Sequence, residues 1–178
     1  ENIFDPLDMT ETGFHRTPEF DKKMAVKYVF VSEDDENFDP VEAQKSGNAK
    51  DGFFKDGGKG ISYILGPEYD SGGAGIITTP FDYSKFTAAM ANYGKGLNGE
   101  RILSPYTVEL MRTNRLTPEQ RKTCIWGQLD GYGYGLGVRT HMNPAESGCL
   151  SNIGEFGWCG AAGSTVLIDP KINLSVFY

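Results

Sequence analysis

A chain of 178 residues is long enough for one domain with a sizeable core, and at this size roughly 70% of the unfolded surface can be buried. Hydrophobic residues at 39% and charged residues at 23% exclude a disordered chain. The net charge of −7, with no long Lys/Arg run, argues against nucleic acid as a partner.

Residues 1–20, with Pro6, Gly13 and Pro18, form a turn-rich entry. The apolar run Met24–Val31 predicts a short strand. Residues 32–75 carry the acidic stretch Glu33-Asp34-Asp35-Glu36 and repeated glycines, and predict a long, lid-like loop. A helix follows: Thr79 caps it, Pro80 takes the first position, Asp82 stands in a capping box, and Gly94 can end it. Phe86, Met90 and Tyr93 fall at helical spacing on one face. Ser104-Pro105 opens a second helix with Val108 and Met111 inward, and Thr117-Pro118-Glu119-Gln120 announces a third.

The period then changes to two. Tyr132, Tyr134, Leu136 and Val138 alternate with Gly131, Gly133, Gly135 and Gly137, predicting one strand whose bare face admits a close backbone or a ligand. Ser164–Ile168 and Ile172–Tyr178 predict two further strands, joined at Asp169-Pro170-Lys171 by a hairpin turn. Loops, then helices, then antiparallel strands give an α+β class.

The chemistry-bearing signals are sparse. No G-x-S-x-G elbow, no S-x-x-K and no Y-x-N is present, and Ser46-Gly47-Asn48 is a short match in a polar loop. His15 and His141 have no Ser or Cys partner in the local sequence and are expected at the surface or in turns, although triad partners meet in space. Cys124, Cys149 and Cys159 lack zinc-ligand spacing, and neither a metal nor a cofactor is expected. Their odd number leaves at least one thiol unpaired within the chain. Cys159 could be a nucleophile in a glycine-rich turn, but a small buried residue beside a strand is the simpler reading.

Four segments, in order, resemble the family of serine β-lactamases, penicillin-binding DD-peptidases and related esterases. Ile3–Phe14 resembles the family's "IfxPLGMxdTgf", with Asp8 in place of the usual glycine. Ser71–Phe86 is similar to "sGGaGLxSTxxDyarF". Tyr132–Gly137 resembles "yGyGlGw", and Phe156–Ser164 resembles the third catalytic motif in its "GWGGxxG" variant. The resemblance implies a partial β-lactamase/transpeptidase-like fold, with residues 1–178 as the C-terminal part of a single domain. Both ends then lie inside that domain, its Ser-x-x-Lys and Tyr-x-Asn motifs precede Glu1, and its C-terminal helix follows Tyr178. It further implies that Trp158, Cys159 and Gly160 lie on an edge strand and contact substrate, and that the backbone N–H of Ala161 supplies half of an oxyanion hole. Trp158 in place of the family's Lys disfavours a β-lactam carboxylate partner and favours the esterase-like branches.

The implied function is a portion of a serine hydrolase acting on an ester, amide or β-lactam acyl bond through an acyl-enzyme. This chain alone is expected to be inactive. A catalytically inactive binding domain of the same fold is the alternative, and an unrelated α+β interaction domain is the third reading. The expected partners are a small-molecule or peptide acyl substrate and the N-terminal portion of the same domain, with dimerisation or segment swapping following from unpaired strand edges. The compartment is open on sequence grounds, and the resemblance points to an extracytoplasmic or secreted protein.

Overall fold

A computed structural model describes residues 1–15, 17–25, 28–31, 52–55, 69–73, 75–123, 129–160 and 163–178. Ser46-Gly47-Asn48, the acidic stretch 33–36, Cys124 and Ala161 lie outside the described residues. The chain divides into two compact units: residues 1–12 with 78–178, and residues 13–77.

In the smaller unit, Thr17 caps the short helix α1 (Pro18–Lys23), its Oγ1 accepting the Phe20 N–H at 3.2 Å. Strand β1 (Tyr28–Val31) pairs antiparallel with β2 (Gly52–Lys55), from Tyr28↔Lys55 to Val31↔Gly52. The β1 strand was expected. The β2 strand was not: residues 32–75 are not loop throughout, because Gly52–Lys55 supplies an apolar pair that the repeated glycines concealed.

The larger unit builds the sheet that carries the segment Phe156–Cys159. Helix α2 (Pro80–Ala91) starts as its sequence dictates, with Thr79 Oγ1 accepting the Asp82 N–H at 3.1 Å and Pro80 at the first position. It ends at Ala91, with Asn92 as cap, and Gly94 at φ +84° donates its N–H to Ala89 O at 2.8 Å. A side chain at Gly94 would put its Cβ 2.3 Å from Leu103 O, so this glycine is required by both conformation and space. Helix α3 (Pro105–Arg112) is capped by Ser104 and buries Val108. Helix α4 (Pro118–Thr123) has the full reciprocal box. Thr117 Oγ1 accepts the Gln120 N–H at 3.2 Å, and Gln120 Oε1 accepts the Thr117 N–H at 2.8 Å.

Five antiparallel strands follow in the order β3 (Tyr132–Tyr134), β4 (Arg139–His141), β5 (Phe156–Cys159), β6 (Thr165–Asp169), β7 (Leu174–Phe177), with helix α5 (Pro144–Ser147) between β4 and β5. The run 131–138 is therefore not one strand. Gly135 donates to Val138 O at 2.8 Å and Gly137 adopts φ +80°, which turns the chain back into β4. The bare face does admit a backbone. A Cβ on Gly135 would lie 1.9 Å from Met111 O, and the Leu136 N–H bonds that same carbonyl at 2.8 Å. The Asp169-Pro170-Lys171 turn forms as expected: Asp169 Oδ1 accepts the Lys171 N–H at 3.1 Å, and Asn173 at φ +51° completes the reversal into β7.

Met90, Ala91, Val108, Phe156 and Ile168 are buried together between α2, α3 and the sheet, with Phe86 and Met111 packed on them. Leu7, Met9 and Ala89 form a second buried group, again with Phe86 against it. Burying a side chain of this size contributes about 1.5–3 kcal/mol. These two groups fix α2 to the sheet and the segment 3–12 to α2. Along β7, Thr87 donates to Ser175 Oγ at 3.2 Å and Tyr83 meets Phe177 with ring centres 4.6 Å apart.

Candidate active-site wall

Strand β5 carries Trp158 and Cys159, and the turn after it begins at Gly160. Contrary to expectation, β5 is not an edge strand: it is the middle strand of the five. Its two halves differ, however. Pairing with β4 covers only Phe156↔Thr140 and Gly157↔Arg139, whereas pairing with β6 continues through Trp158↔Val166 to Cys159↔Thr165. The sheet places the motif at a step, where β4 has stopped and β6 continues.

The glycines of this segment are set by close approach. A Cβ on Gly157 would lie 1.9 Å from Val166 O, so no other residue fits without parting β5 from β6. The Gly160 N–H donates to Ser164 O at 2.7 Å and Gly163 N–H to Gly160 O at 3.0 Å, with Gly163 at φ +95°. Phe156–Cys159 and Thr165–Asp169 are thus paired antiparallel strands, as the third-motif resemblance requires and the unrelated-domain reading does not.

Trp158 is half-buried, and its indole meets the Tyr134 ring edge-on at 5.2 Å and 75°. Such a pair contributes about 0.5–1.5 kcal/mol beyond area burial and holds the indole in one orientation. Tyr134 belongs to the "yGyGlG" segment, so two segments singled out in the sequence meet here across the end of β4. Cys159 is a half-buried free thiol.

A buried polar network, unforeseen from sequence, anchors the start of β5. Glu155, the residue before the strand, is 0% exposed, and its two carboxylate oxygens accept from Arg139 Nη1 at 2.8 and 3.0 Å. The Tyr132 hydroxyl donates to the same carboxylate at 3.3 Å and Ser151 Oγ at 3.4 Å. The Arg139 guanidinium also lies over the Tyr132 ring, 4.6 Å from its centre. Burial, then a hydrogen bond with Cys149 and the negative charge of Glu155, push the Tyr132 phenol well above its ordinary range, against the opposing charge of Arg139. Because Arg139 pairs with Gly157 in the β4–β5 ladder, this network fixes the register from which Trp158 and Cys159 emerge.

His141 belongs to this network and corrects the expectation of a surface histidine: it is 0% exposed. Its Nε2 lies 2.8 Å from Ser147 Oγ, and its Nδ1 lies 3.2 Å from both Asn152 O and Ser151 Oγ. His15 is exposed, as expected, and pairs with Asp70 at 2.9 Å. Strand β4 buries Arg139, Thr140 and His141 alike, so it shows no in/out alternation by which sequence could have found it. The available signal was Glu155 abutting the apolar start of a strand.

The family-like segment Ile3–Phe14 is held by Asp82. Instead of closing the capping box, its carboxylate accepts the Glu11 N–H at 2.7 Å, Thr12 Oγ1 at 3.0 Å and Lys85 Nζ at 2.9 Å. Burial opposes ionisation, but the bonds from Lys85, Glu11 and Thr12 prevail and hold the Asp82 carboxyl below its ordinary value. Asp8, where the family has glycine, adopts φ +53°, the left-handed region that glycine enters without cost. Lys85 Nζ donates to the Asp8 carbonyl, and Asn98 Nδ2 donates to Pro6 O at 2.7 Å, so this strained turn is braced from two sides.

Among the described residues, no group of three or more His, Cys, Asp or Glu is placed to hold a metal ion, and no helix is long and apolar enough to cross a membrane. Two Mycobacterium tuberculosis proteins, Protein Rv1367c and Uncharacterized protein MT1414, are each 30% identical to this chain over 183 residues. The alignment covers 100% of this chain and 41% of each relative, so the chain spans about two fifths of the curated relatives it matches. Among solved structures, EstCE1, a hydrolase with promiscuous acyltransferase activity, superimposes with a TM-score of 0.66 at 22% identity, over 98% of this chain and 42% of that one. Simvastatin synthase (LovD) from Aspergillus terreus gives a TM-score of 0.72 at 19% identity, over 99% of this chain and 42% of that one. These likenesses show the β-lactamase-like fold. The Beta-lactamase family model matches residues 1–178 throughout, and the chain belongs to that family of hydrolases and acyltransferases.

Proposed function

We propose that this chain is the C-terminal part of a single serine acyl-transfer domain and forms one wall of its acyl site. The reaction runs through an acyl-enzyme: a serine oxygen attacks the acyl carbon, the leaving group departs, and water or an alcohol takes up the acyl group. The Ser-x-x-Lys and Tyr-x-Asn motifs that perform the attack lie outside residues 1–178 on this reading, and residues 1–178 alone are inactive. Trp158, Cys159 and Gly160 contact the substrate, and the Ala161 N–H supplies half of the oxyanion hole, a donor worth about 3 kcal/mol at the transition state.

The observation that carries this reading is the step at the end of β5, where β4 pairing stops at Gly157 and the half-buried Trp158 is backed by Tyr134. An apolar indole in place of a lysine suits an uncharged acyl group or alcohol and offers no partner for a β-lactam carboxylate, so ester substrates are favoured. The relatives with solved structures are described as a hydrolase with promiscuous acyltransferase activity and a simvastatin synthase, which supports acyl transfer as the reaction class.

A further partner for the sheet is part of this proposal. Strand β7 ends the five-strand order, and Leu174 and Val176 in it and Tyr178 just after it are 44%, 47% and 87% exposed. The N-terminal portion of the same domain covers this apolar row; without it, the row drives dimerisation or segment swapping. The test is ester hydrolysis by the full-length protein and its Trp158→Ala variant, using p-nitrophenyl esters of increasing chain length. The reading expects turnover with a burst of nitrophenol, and a Trp158→Ala loss of kcat/KM of about 10-fold or more that grows with acyl length. Absence of turnover and of burst in the full-length protein supports the inactive binding domain instead.

A further inference from the structure

The half-buried Ser147 and the fully buried His141 have the arrangement of an activated serine. The Asn152 carbonyl 3.2 Å from Nδ1 can only accept, which assigns the ring proton to Nδ1. In the neutral ring, Nε2 then carries the lone pair, and the Ser147 hydroxyl 2.8 Å away donates to it. Ser151 Oγ, 3.2 Å from Nδ1, shares that proton and in turn donates to the buried Glu155 carboxylate at 3.4 Å. A serine, a histidine of fixed tautomer and a carboxylate reached through one hydroxyl therefore stand in line.

Packing explains why the pair is rigid. Gly131 sits so close that a Cβ there would lie 2.7 Å from the Ser147 Cβ, and the Cys149 N–H bonds Ser147 Oγ at 3.1 Å. The other flank is open: Gly148, exposed and at φ +66°, has nothing within 4 Å of where its Cβ would be. Ser147 itself is half-buried, and in the reaction proposed below an acyl donor of modest size reaches it from that side.

We propose that Ser147 and His141 form an acyl-accepting dyad reactive toward activated esters, independent of the serine chemistry proposed for the family motifs. Ser147 Oγ bonds to the acyl carbon as its proton passes to His141 Nε2. The carbon–leaving-group bond then breaks, the proton goes to the departing alcohol, and O-acylated Ser147 remains. With a fluorophosphonate, the O–P bond forms, fluoride leaves, and the proton passes through His141 to solvent.

The experiment treats the full-length protein with a fluorophosphonate probe and, separately, with p-nitrophenyl acetate, followed by denaturation, trypsin and mass mapping. Trypsin cuts after Arg139 and after Lys171, so Ser147 is read in the peptide Thr140–Lys171. The dyad predicts an adduct on Ser147 that Ser147→Ala removes and that forms about 100-fold more slowly in His141→Gln. An adduct found only on peptides upstream of Glu1 overturns the dyad while leaving the proposed function standing. An adduct only on Ser147 supports the dyad and removes support from that function. Equal labelling of wild type and His141→Gln overturns the role of the histidine. If His141→Gln does not fold, Ser147→Ala decides: loss of the adduct with an unchanged melting curve supports the dyad, and persistence of the adduct refutes it.

Discussion

Replacing Glu155 with Leu in the full-length protein should cost more stability than any other single change outside the apolar core. The carboxylate is 0% exposed and accepts two bonds from Arg139, at 2.8 and 3.0 Å, with further donors in Tyr132 and Ser151. Its removal leaves the Arg139 guanidinium, whose side chain is 10% exposed, buried without its anion. Breaking a buried pair in this way costs about 3–5 kcal/mol. With a urea slope of about 2 kcal/mol per molar, the unfolding midpoint should fall by about 2 M. Arg139→Met combined with Glu155→Leu should recover most of that loss, because the penalty lies in the stranded charge rather than in the absent bond. A midpoint drop below about 0.5 M for Glu155→Leu, or a double variant no more stable than the single one, would refute the claim that this ion pair anchors β5.

Two further consequences follow from the segment Ile3–Phe14 and its anchor Asp82. The folded-state pKa of Asp82 is depressed, so its contribution is present above its ordinary value of 3.8 and is lost as pH falls through the folded value. Asp82→Asn should therefore lower the urea midpoint near neutral pH and flatten its decline between about pH 6 and about pH 2; an unchanged acid slope would count against it. At Asp8, φ +53° predicts opposite signs for two substitutions: Asp8→Gly should be neutral or stabilising by up to about 1 kcal/mol, and Asp8→Val should cost about 1–2 kcal/mol, both read by thermal melts. Equal destabilisation by the two would show that the Asp8 side chain, not the backbone, matters there.

Local signals in the sequence were read correctly where one residue's chemistry decides the outcome. Thr79-Pro80, Ser104-Pro105 and Thr117-Pro118 each open a helix, since a capping oxygen and a proline act within three residues of themselves. The strand at Phe156–Cys159 carries a glycine whose place is forced by close approach, Gly157 against Val166. What escaped depends on distant partners. The Tyr132–Val138 alternation looked like one strand, but the Gly135 N–H bonds Val138 O and Gly137 takes a positive φ to turn the chain, while the Leu136 N–H bonds the Met111 carbonyl, more than twenty residues away in the chain. Asp82 looked like a capping-box residue, yet its carboxylate turned to Glu11 and Thr12, which no local pattern announces. His141 was expected at the surface or in a turn, and nothing in the sequence marked Arg139 and Glu155 for burial, since charge in a sequence carries no mark of the partner that makes burial tolerable. The position of β5 in the middle of the sheet, against the expected edge, follows from the β3–β4 hairpin that the same misread alternation had hidden.

The most direct test of the central claim is to trap the acyl-enzyme. Full-length protein quenched in acid during turnover of a p-nitrophenyl ester, then digested and mapped by mass, should carry the acyl group on a serine upstream of Glu1 in a Ser-x-x-Lys sequence. Trp158→Ala should reduce the rate at which that adduct forms without moving it. Turnover with the acyl group on no upstream serine, or the lack of any adduct and any turnover, would contradict a serine acyl-transfer site walled by β5.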